Sequence, residues 1–151
     1  MNFKNLLLPP VIWAVSVMGV FFLHEIAPIK HFDPTPWRTV PSLIIIALAI
    51  ITTVWHKRLF KKERTNIDTF GKPDKLVESG FFKWSRNPMY LGFVVSLAAL
   101  AFLGGALSTG LVVVAFFVLV DRWHIPYEEK EMQSQFGGAY AEYRARTRRW
   151  I

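Results

Sequence analysis

The sequence contains no cysteine, and its 11 acidic residues are outnumbered by 18 lysines and arginines. The missing cysteine excludes disulfide bonds, cysteine-ligated zinc sites and thiol nucleophiles. The chain also lacks internal repeats and low-complexity tracts, and no stretch is typical of a separate soluble domain. At 151 residues there is room for one domain, so we expect a single unit covering residues 1–151.

The remaining composition combines two properties that rarely occur together in a soluble protein. Hydrophobic residues make up 52% of the chain, yet the formal net charge is +7. The apolar residues fall in long blocks and the charges fall between them. Basic residues that flank apolar blocks are typical of contact with anionic lipid headgroups. We therefore expect membrane lipids as partners and no nucleic acid.

Four apolar blocks predict four membrane spans, at about residues 6–23, 40–55, 88–103 and 106–125. The predicted fold is an all-α polytopic transmembrane bundle. A buried soluble helix is the alternative for any one block, and a signal peptide is the alternative for the first. Glu25 and Ala27 make a poor cleavage site, which favours a retained span. Glycines at 104–105 and the residues 108–110 indicate a tight turn between the last two spans.

The distribution of positive charge predicts the orientation in the membrane. Lysine and arginine are concentrated between the second and third blocks and after the fourth, whereas the loop between the first two blocks holds only Lys30 and Arg38. The positive-inside rule then places both termini and the central basic loop in the cytosol. We expect an integral protein of the cytoplasmic (inner) membrane whose active site faces the cytosol.

The first polar stretch of interest, residues 71–92, leads into the third span. Asn87 and Pro88 are typical of a helix N-cap and first helical position. Beside Arg86, the free N–H groups of this helix start predict a site for an anion. Tyr90 follows in the first turn, and Gly92 leaves a gap on the helix surface. The alternative is a capped membrane helix with a packing glycine.

The second stretch, residues 126–151, begins where the fourth span should leave the bilayer. Glu128 and Glu129 lie at a depth where an unpaired carboxylate is costly, which makes them functional candidates. A solvated helix face is the alternative reading. His124 and Glu128 have the helical spacing of two metal ligands, but two ligands are too few, and no metal is expected.

The end of this second stretch has two further features. Gly137 should break the helix, after which Tyr140 and Tyr143 share one face of a second short helix. The final residues 148–150, with two arginines and a tryptophan, are typical of an anchor in the membrane interface.

The two stretches together resemble a known superfamily. The sequence Ser-Gly-Phe-Phe…Ser-Arg-Asn-Pro-Met-Tyr-Leu-Gly is followed by Glu-Glu…Phe-Gly…Tyr…Tyr…Arg-Arg-Trp. This ordered pair resembles the isoprenylcysteine carboxyl methyltransferase and phospholipid methyltransferase superfamily over residues 71–151. Many members have His at the position of Asn87, and many have Gly-Pro where this chain has Gly80-Phe81. The resemblance implies a membrane-embedded enzyme that uses S-adenosylmethionine.

The resemblance also implies a cofactor region formed by residues 71–92 and 126–151. The expected cofactor-binding residues are Arg86, Asn87, Pro88, Tyr90, Gly92, Glu128 and Glu129. The expected catalytic residues are Glu129, Arg144 and Arg148, and the expected substrate-binding residues are Tyr140, Tyr143 and Arg149. Carboxylates suit the ribose diol and amino group of the cofactor, whereas arginine and helix N–H groups suit its carboxylate.

The methyl acceptor is expected to be lipophilic and to enter from the bilayer. A carboxylate acceptor should be recognised by arginines, whereas an amine acceptor requires a base, for which a glutamate is the candidate. Two other functions remain open at this point. One is a membrane reductase of the sterol reductase type that uses NADPH, and the other is a non-catalytic subunit that packs against a membrane partner.

Overall fold

The structure, a computed structural model, describes residues 8–30, 32–33, 35–63 and 74–151. These residues form helices joined by short turns, with no β-strand among them. Three helical segments are long and apolar enough to cross a membrane, and one further apolar helix is shorter. The predicted all-α membrane bundle is therefore confirmed. Residues 6–7 of the first predicted span and 71–73 of the predicted cofactor region lie outside the described residues.

Helices α1 (Pro9–Ile26) and α2 (Pro36–Glu63) present apolar side chains to the outside of the protein. Met18, Phe22 and Ile51, for example, are more than half exposed, as suits contact with lipid. The 28 residues of α2 extend for about 42 Å at about 1.5 Å per residue. Because a hydrocarbon core is about 30 Å thick, the predicted span 40–55 is only the middle of a helix that continues beyond the membrane.

Helix α3 (Pro88–Gly104) lies at the centre of the bundle and packs against α1 and α2. Phe93 and Leu97 are buried in the core. The indole Nε1 of Trp13 in α1 donates hydrogen bonds to Phe93 O at 3.2 Å and to Ser96 Oγ at 3.1 Å. The 17-residue helix α3 begins at Pro88, where Asn87 and Pro88 predict a helix start. A 3₁₀ turn at Gly80–Lys83 precedes it.

The tight turn predicted between the last two spans is present. Gly105 ends α3 with φ +81°, a left-handed conformation that glycine adopts without strain. A 3₁₀ turn at Leu107–Thr109 then leads into α4 (Gly110–Leu119). Arg38 of α2 is buried against this turn, where its Nη2 donates to Phe32 O at 2.8 Å.

The helix of the fourth predicted span does not end at Pro126. Helix α4 continues through a π-helical turn, Val120–His124, into α5 (Ile125–Phe136). Proline lacks an N–H and its ring clashes with the carbonyl four residues earlier in a regular α-helix. The wider π turn directly before Pro126 gives that ring room, so the helix continues.

The chain reverses at Gly137 and forms α6 (Gly138–Arg146), as the sequence predicts. Gly137 has φ +51°, which breaks the helical path. Tyr140 and Tyr143 are both 3% exposed and lie on one face of α6, which confirms their predicted arrangement. The last residues then leave α6 and run back toward the start of α3.

Candidate active site

The two polar stretches meet through backbone hydrogen bonds. Residues 85–87 lie alongside residues 147–149, and Ser85 forms an isolated parallel bridge with Arg148. The backbone N–H of Arg86 donates to Arg148 O at 2.9 Å. Ser85 Oγ adds a bond to Arg149 O at 3.3 Å. These bonds fix the residues before α3 against residues 147–151, which we call the C-terminal segment.

Asn87 occupies the N-cap position of α3, but its side chain does not cap the helix. Instead Asn87 Nδ2 donates to Arg149 O at 3.0 Å, and Asn87 N donates to Ser85 Oγ at 3.1 Å. The asparagine is thus a cross-link between the start of α3 and the C-terminal segment.

Glu129 lies between two arginines, one from each stretch. Its Oε1 accepts from Arg86 Nη2 at 2.8 Å, and its Oε2 accepts from Arg149 Nη2 at 2.7 Å. Arg86 also donates through Nη1 to the backbone oxygens of Thr147 and Arg144. The anion that Arg86 contacts is therefore a carboxylate of the protein itself, which the sequence does not predict.

Arg149 extends this cluster to the fourth span. Its Nη1 lies 3.4 Å from Asp121 Oδ1, and Trp150 Nε1 donates to the same oxygen at 2.9 Å. The hydrogen bond to Glu129 raises the pKa of Arg149 above its ordinary value. Trp150 also stacks on Phe117 with ring centroids 5.1 Å apart. Arg149 and Trp150 therefore attach the C-terminal segment to the bundle. The sequence predicts an anchor in the membrane interface and does not predict these contacts within the protein.

Glu128 is paired with a different element. Tyr90, in the first turn of α3, donates through its hydroxyl to Glu128 Oε1 at 2.7 Å. Tyr90 is 6% exposed and belongs to the hydrophobic core. The two neighbouring glutamates thus join α5 to α3 through Tyr90 and to the segment before α3 through Arg86.

A cleft of about 80 Å³ opens where these elements meet. Charged and polar side chains from both stretches share its walls with aromatic and apolar ones. Its lining residues are Phe60, Lys75, Val77, Phe82, Arg86, Asn87, Glu128, Glu129, Met132, Tyr140 and Tyr143. Six of the expected site residues therefore lie around one cavity.

The two tyrosines of α6 form a buried wall of this cleft. Tyr143 donates through its hydroxyl to Phe82 O at 2.8 Å. Burial raises the pKa of both Tyr140 and Tyr143, and the negative charge of Glu129 adds to the effect at Tyr140. Both phenols therefore keep their protons at neutral pH, and the one hydroxyl hydrogen of Tyr143 is engaged with Phe82 O.

The other expected residues lie outside the cleft lining. Gly92 faces α2, where a Cβ would lie 3.9 Å from Thr52 Oγ1. Arg144 on α6 and Arg148 after it are exposed. Pro88 is the first residue of α3 and shapes the helix start.

Several residues that the structure brings to this region are not among the expected site residues. Asp121 had a recognisable signal, because it is an acidic residue inside an otherwise apolar block. Phe82 belongs to the Ser-Gly-Phe-Phe element, which does not by itself indicate a place in the cleft. Phe60 had no signal, since aromatic residues near the ends of membrane helices are common.

Comparison with known proteins connects this chain to a family. A family model described as phospholipid methyltransferase matches residues 37–139, which include the start of α3 and both glutamates. The chain belongs to the phospholipid methyltransferase family. An uncharacterised protein of Haemophilus influenzae is 32% identical over 63 residues, which cover 42% of this chain and 100% of that protein. No solved structure matches the chain.

Membership of the phospholipid methyltransferase family establishes the class of reaction. The chain is an integral membrane protein of a family of methyltransferases that act on membrane lipids. The matched range contains α2 from its second residue, together with α3, α4 and α5, and it includes every residue of the cleft lining except Tyr140 and Tyr143.

Proposed function

We propose that this protein transfers a methyl group from S-adenosylmethionine to a lipophilic, membrane-associated acceptor that carries an amine or a carboxylate. The observation that carries the proposal is the cleft in which Arg86, Glu128 and Glu129 meet. Each of these residues belongs to one of two distant motifs, and the fold brings them to one cavity.

The side chains around the cleft fit the chemistry of this cofactor. It has a ribose diol, an amino group and a sulfonium, all of which a carboxylate can bind, and Glu128 and Glu129 supply two. Its own carboxylate suits Arg86, whose Nε is buried without a hydrogen-bond partner among the described residues. Phe60, Phe82 and the two tyrosines supply apolar surface for an adenine ring.

The cleft must widen to admit a molecule of this size. Its volume of about 80 Å³ is below the range of about 300–1,000 Å³ that is typical of ligand pockets. Three of its walls come from separate elements: the end of α2, the residues before α3, and the α5–α6 pair. A small displacement of one element relative to the others would enlarge the space between them.

We assign the roles of the protein's residues as follows. Bound S-adenosylmethionine supplies an electrophilic methyl group. Glu128 and Glu129 orient the bound cofactor, and Tyr140 and Tyr143 exclude water from the reacting atoms. The catalytic contribution of these residues is mainly positioning, because methyl transfer requires an in-line approach of the nucleophile. The exposed Arg144 and Arg148 contact the polar head of the acceptor at the surface.

We also propose that the protein lies in the cytoplasmic membrane with the cleft on the cytosolic side. The end of α2 that borders the cleft carries Lys57, Arg58, Lys61 and Lys62. Positive residues of this kind are retained on the cytosolic side during insertion. The cofactor would then arrive from the cytosol and the lipid acceptor from the bilayer.

Binding of S-adenosylhomocysteine, the demethylated product, tests the proposal. A ligand that binds only the folded state stabilises it by about 2.7 kcal/mol at a concentration of 100 Kd. We expect a rise in the thermal midpoint of the protein purified in detergent. Glu128→Gln should reduce this rise, whereas Glu131→Gln on the same helix is the matched control and should leave it unchanged.

No stabilisation at saturating S-adenosylhomocysteine would refute the proposed cofactor. A rise of the midpoint with NADPH in its place would favour a nicotinamide-dependent reductase. A rise with S-adenosylhomocysteine that Glu128→Gln does not alter would keep the cofactor and remove Glu128 from its site.

A further inference from the structure

The segment formed by residues 74–79, which precedes the 3₁₀ turn at Gly80–Lys83, borders the cleft. Lys75 and Val77 both line the cleft, and Val77 is buried. Glu78 binds Arg146 of α6, with 2.5 Å between Glu78 Oε2 and Arg146 Nη2. Burial of Val77 and the ion pair with α6 therefore hold this segment, and Lys75 with it, against the cleft.

The ammonium of Lys75 is bound to Glu63, the last residue of α2. Lys75 lines the cleft, whereas Glu63 lies outside its lining. The Lys75 side chain is 58% exposed and that of Glu63 is 23% exposed, so water reaches both partners. Ion pairs in contact with water are weak, because water competes for both charges. Lys75 can therefore exchange Glu63 for another anion at little cost.

Of the described residues that line the cleft, two are cations, Lys75 and Arg86. Arg86 is already engaged with the protein. Its Nη2 donates to Glu129, and its Nη1 donates to the backbone oxygens of Arg144 and Thr147. The carboxylate of Glu129 offsets the positive charge of Arg86, and Nε is left to bind a ligand. A second anion in the cleft can therefore gain one N–H from Arg86, whereas the charge that attracts it comes from Lys75.

The proposed cofactor carries an ammonium and a carboxylate on the same carbon atom. A site for this end of the molecule must therefore present a negative and a positive group close together. Glu128, whose Oε1 accepts from Tyr90, is the negative group for the ammonium. Lys75 shares the cleft lining with Glu128 and is the positive group for the carboxylate. The exposure of Lys75 suits this hydrated end of the cofactor, whereas the aromatic walls suit the adenine.

We propose that Lys75 binds the carboxylate of S-adenosylmethionine and exchanges Glu63 for it when the cofactor enters the cleft. This inference rests on the proposed function. A carboxylate accepts several hydrogen bonds, so the ammonium of Lys75 and the Nε of Arg86 bind it together. Lys75 thereby distinguishes the intact cofactor and its product from adenosine derivatives that lack the carboxylate.

Two ligands that differ only in the carboxylate test this role. S-adenosylhomocysteine has the carboxylate, and its decarboxylated analogue keeps the ammonium, the thioether and the adenosine. Binding of each ligand to the wild-type protein and to Lys75→Met is measured by calorimetry in detergent. Lys75→Met should weaken binding of S-adenosylhomocysteine by about tenfold, the low end for a hydrogen bond to a charged group, because Lys75 is more than half exposed. Binding of the decarboxylated analogue should not weaken.

Three further variants separate recognition of charge from packing. Lys75→Arg keeps the charge and should retain the preference for S-adenosylhomocysteine over the decarboxylated analogue. Glu63→Gln removes the competing partner and leaves Lys75 charged, so S-adenosylhomocysteine should bind at least as tightly as to the wild type. A purely structural ion pair would instead give losses of the same sign in Lys75→Met and Glu63→Gln. Lys83→Met, at an exposed position of the neighbouring 3₁₀ turn, is the matched control and should bind both ligands as the wild type does.

Thermal midpoints without ligand should be the same for all these variants and the wild type, because the substituted side chains are in contact with water. Unchanged binding of S-adenosylhomocysteine by Lys75→Met, or equal losses for both ligands, would overturn the inference. A wild-type protein that binds the two ligands equally well, or weaker binding of S-adenosylhomocysteine by Glu63→Gln, would overturn it too. Failure of the wild-type protein to bind S-adenosylhomocysteine would instead refute the proposed function.

Discussion

The clearest prediction for stability concerns Glu129→Gln, which removes the negative charge from the centre of the ionic cluster. Glu129 accepts from Arg86 at 2.8 Å and from Arg149 at 2.7 Å. The glutamine has nearly the same shape, so packing should be preserved. Two guanidinium groups would then lose their common carboxylate and be left facing each other across a neutral amide.

The size of the effect follows from the burial of the three side chains. The Arg86 and Glu129 side chains are 9% and 12% exposed, and removing one partner of a buried ion pair costs about 3–5 kcal/mol. Arg149 is 33% exposed, so water compensates much of its loss. We therefore expect Glu129→Gln to lower the free energy of unfolding by about 3 kcal/mol, near the lower end of that range.

The measurement is thermal or denaturant unfolding of the purified protein in detergent, without ligand. A loss of about 3 kcal/mol corresponds to a fall of about 6–12 °C in the midpoint for a chain of this size. Glu142→Gln, an exposed position on α6, is the matched control and should change the free energy by less than about 0.5 kcal/mol. A Glu129→Gln protein as stable as the wild type would show that the cluster does not hold the site together.

Two further predictions concern other parts of the fold. Gly105→Ala should cost about 2 kcal/mol or more, because φ is +81° and the new Cβ would lie 2.6 Å from Phe32 O. Gly110→Ala, whose Cβ would have no atom within 4 Å beyond its own helix backbone and chain neighbours, should have little effect in the same unfolding assay. The protein should also lose stability above about pH 10, because burial raises the pKa of Tyr143 and the folded state therefore binds that proton more tightly than the unfolded chain. Unfolding measured from pH 8 to pH 12 should show a smaller alkaline loss for Tyr143→Phe, and an equal loss would contradict this explanation.

Much of the architecture was predictable because its determinants are local. The apolar blocks report membrane helices directly, since lipid favours long runs of apolar residues. Asn87-Pro88 predicts the start of α3, and Gly105 and Gly137 mark the ends of α3 and α5. In each case a few neighbouring residues fix the backbone.

The continuation of two helices was not predictable in the same way. The sequence indicates how far the apolar part of α2 extends, but the helix goes on through charged residues to Glu63. Lysine and arginine are good helix formers, and Phe60 gains a packing partner in Phe82. At Pro126 the local rule favours a break, whereas the π turn before it lets the helix continue.

The partners within the site depend on contacts between residues far apart in the chain. The motif predicts that Arg86 and Glu129 belong to one site, but it does not predict that they bind each other. Nor does it predict Asn87 bonding to Arg149 O rather than capping its own helix. The two pairings join residues that are 43 and 62 positions apart in the chain, and no local pattern encodes how such distant segments meet.

The C-terminal segment is the element that makes one site from two motifs. Its backbone oxygens accept from Arg86 and Asn87, and its Arg149 side chain reaches Glu129 on α5. Trp150 binds Asp121 and packs on Phe117, which places the fixed end of the segment on the membrane-embedded helix. Because Asp121 lies within the fourth span, its carboxylate needs these polar partners. The same contacts that give this carboxylate its partners therefore fix the C-terminal segment, and with it one side of the cleft, to the helix of the fourth predicted span.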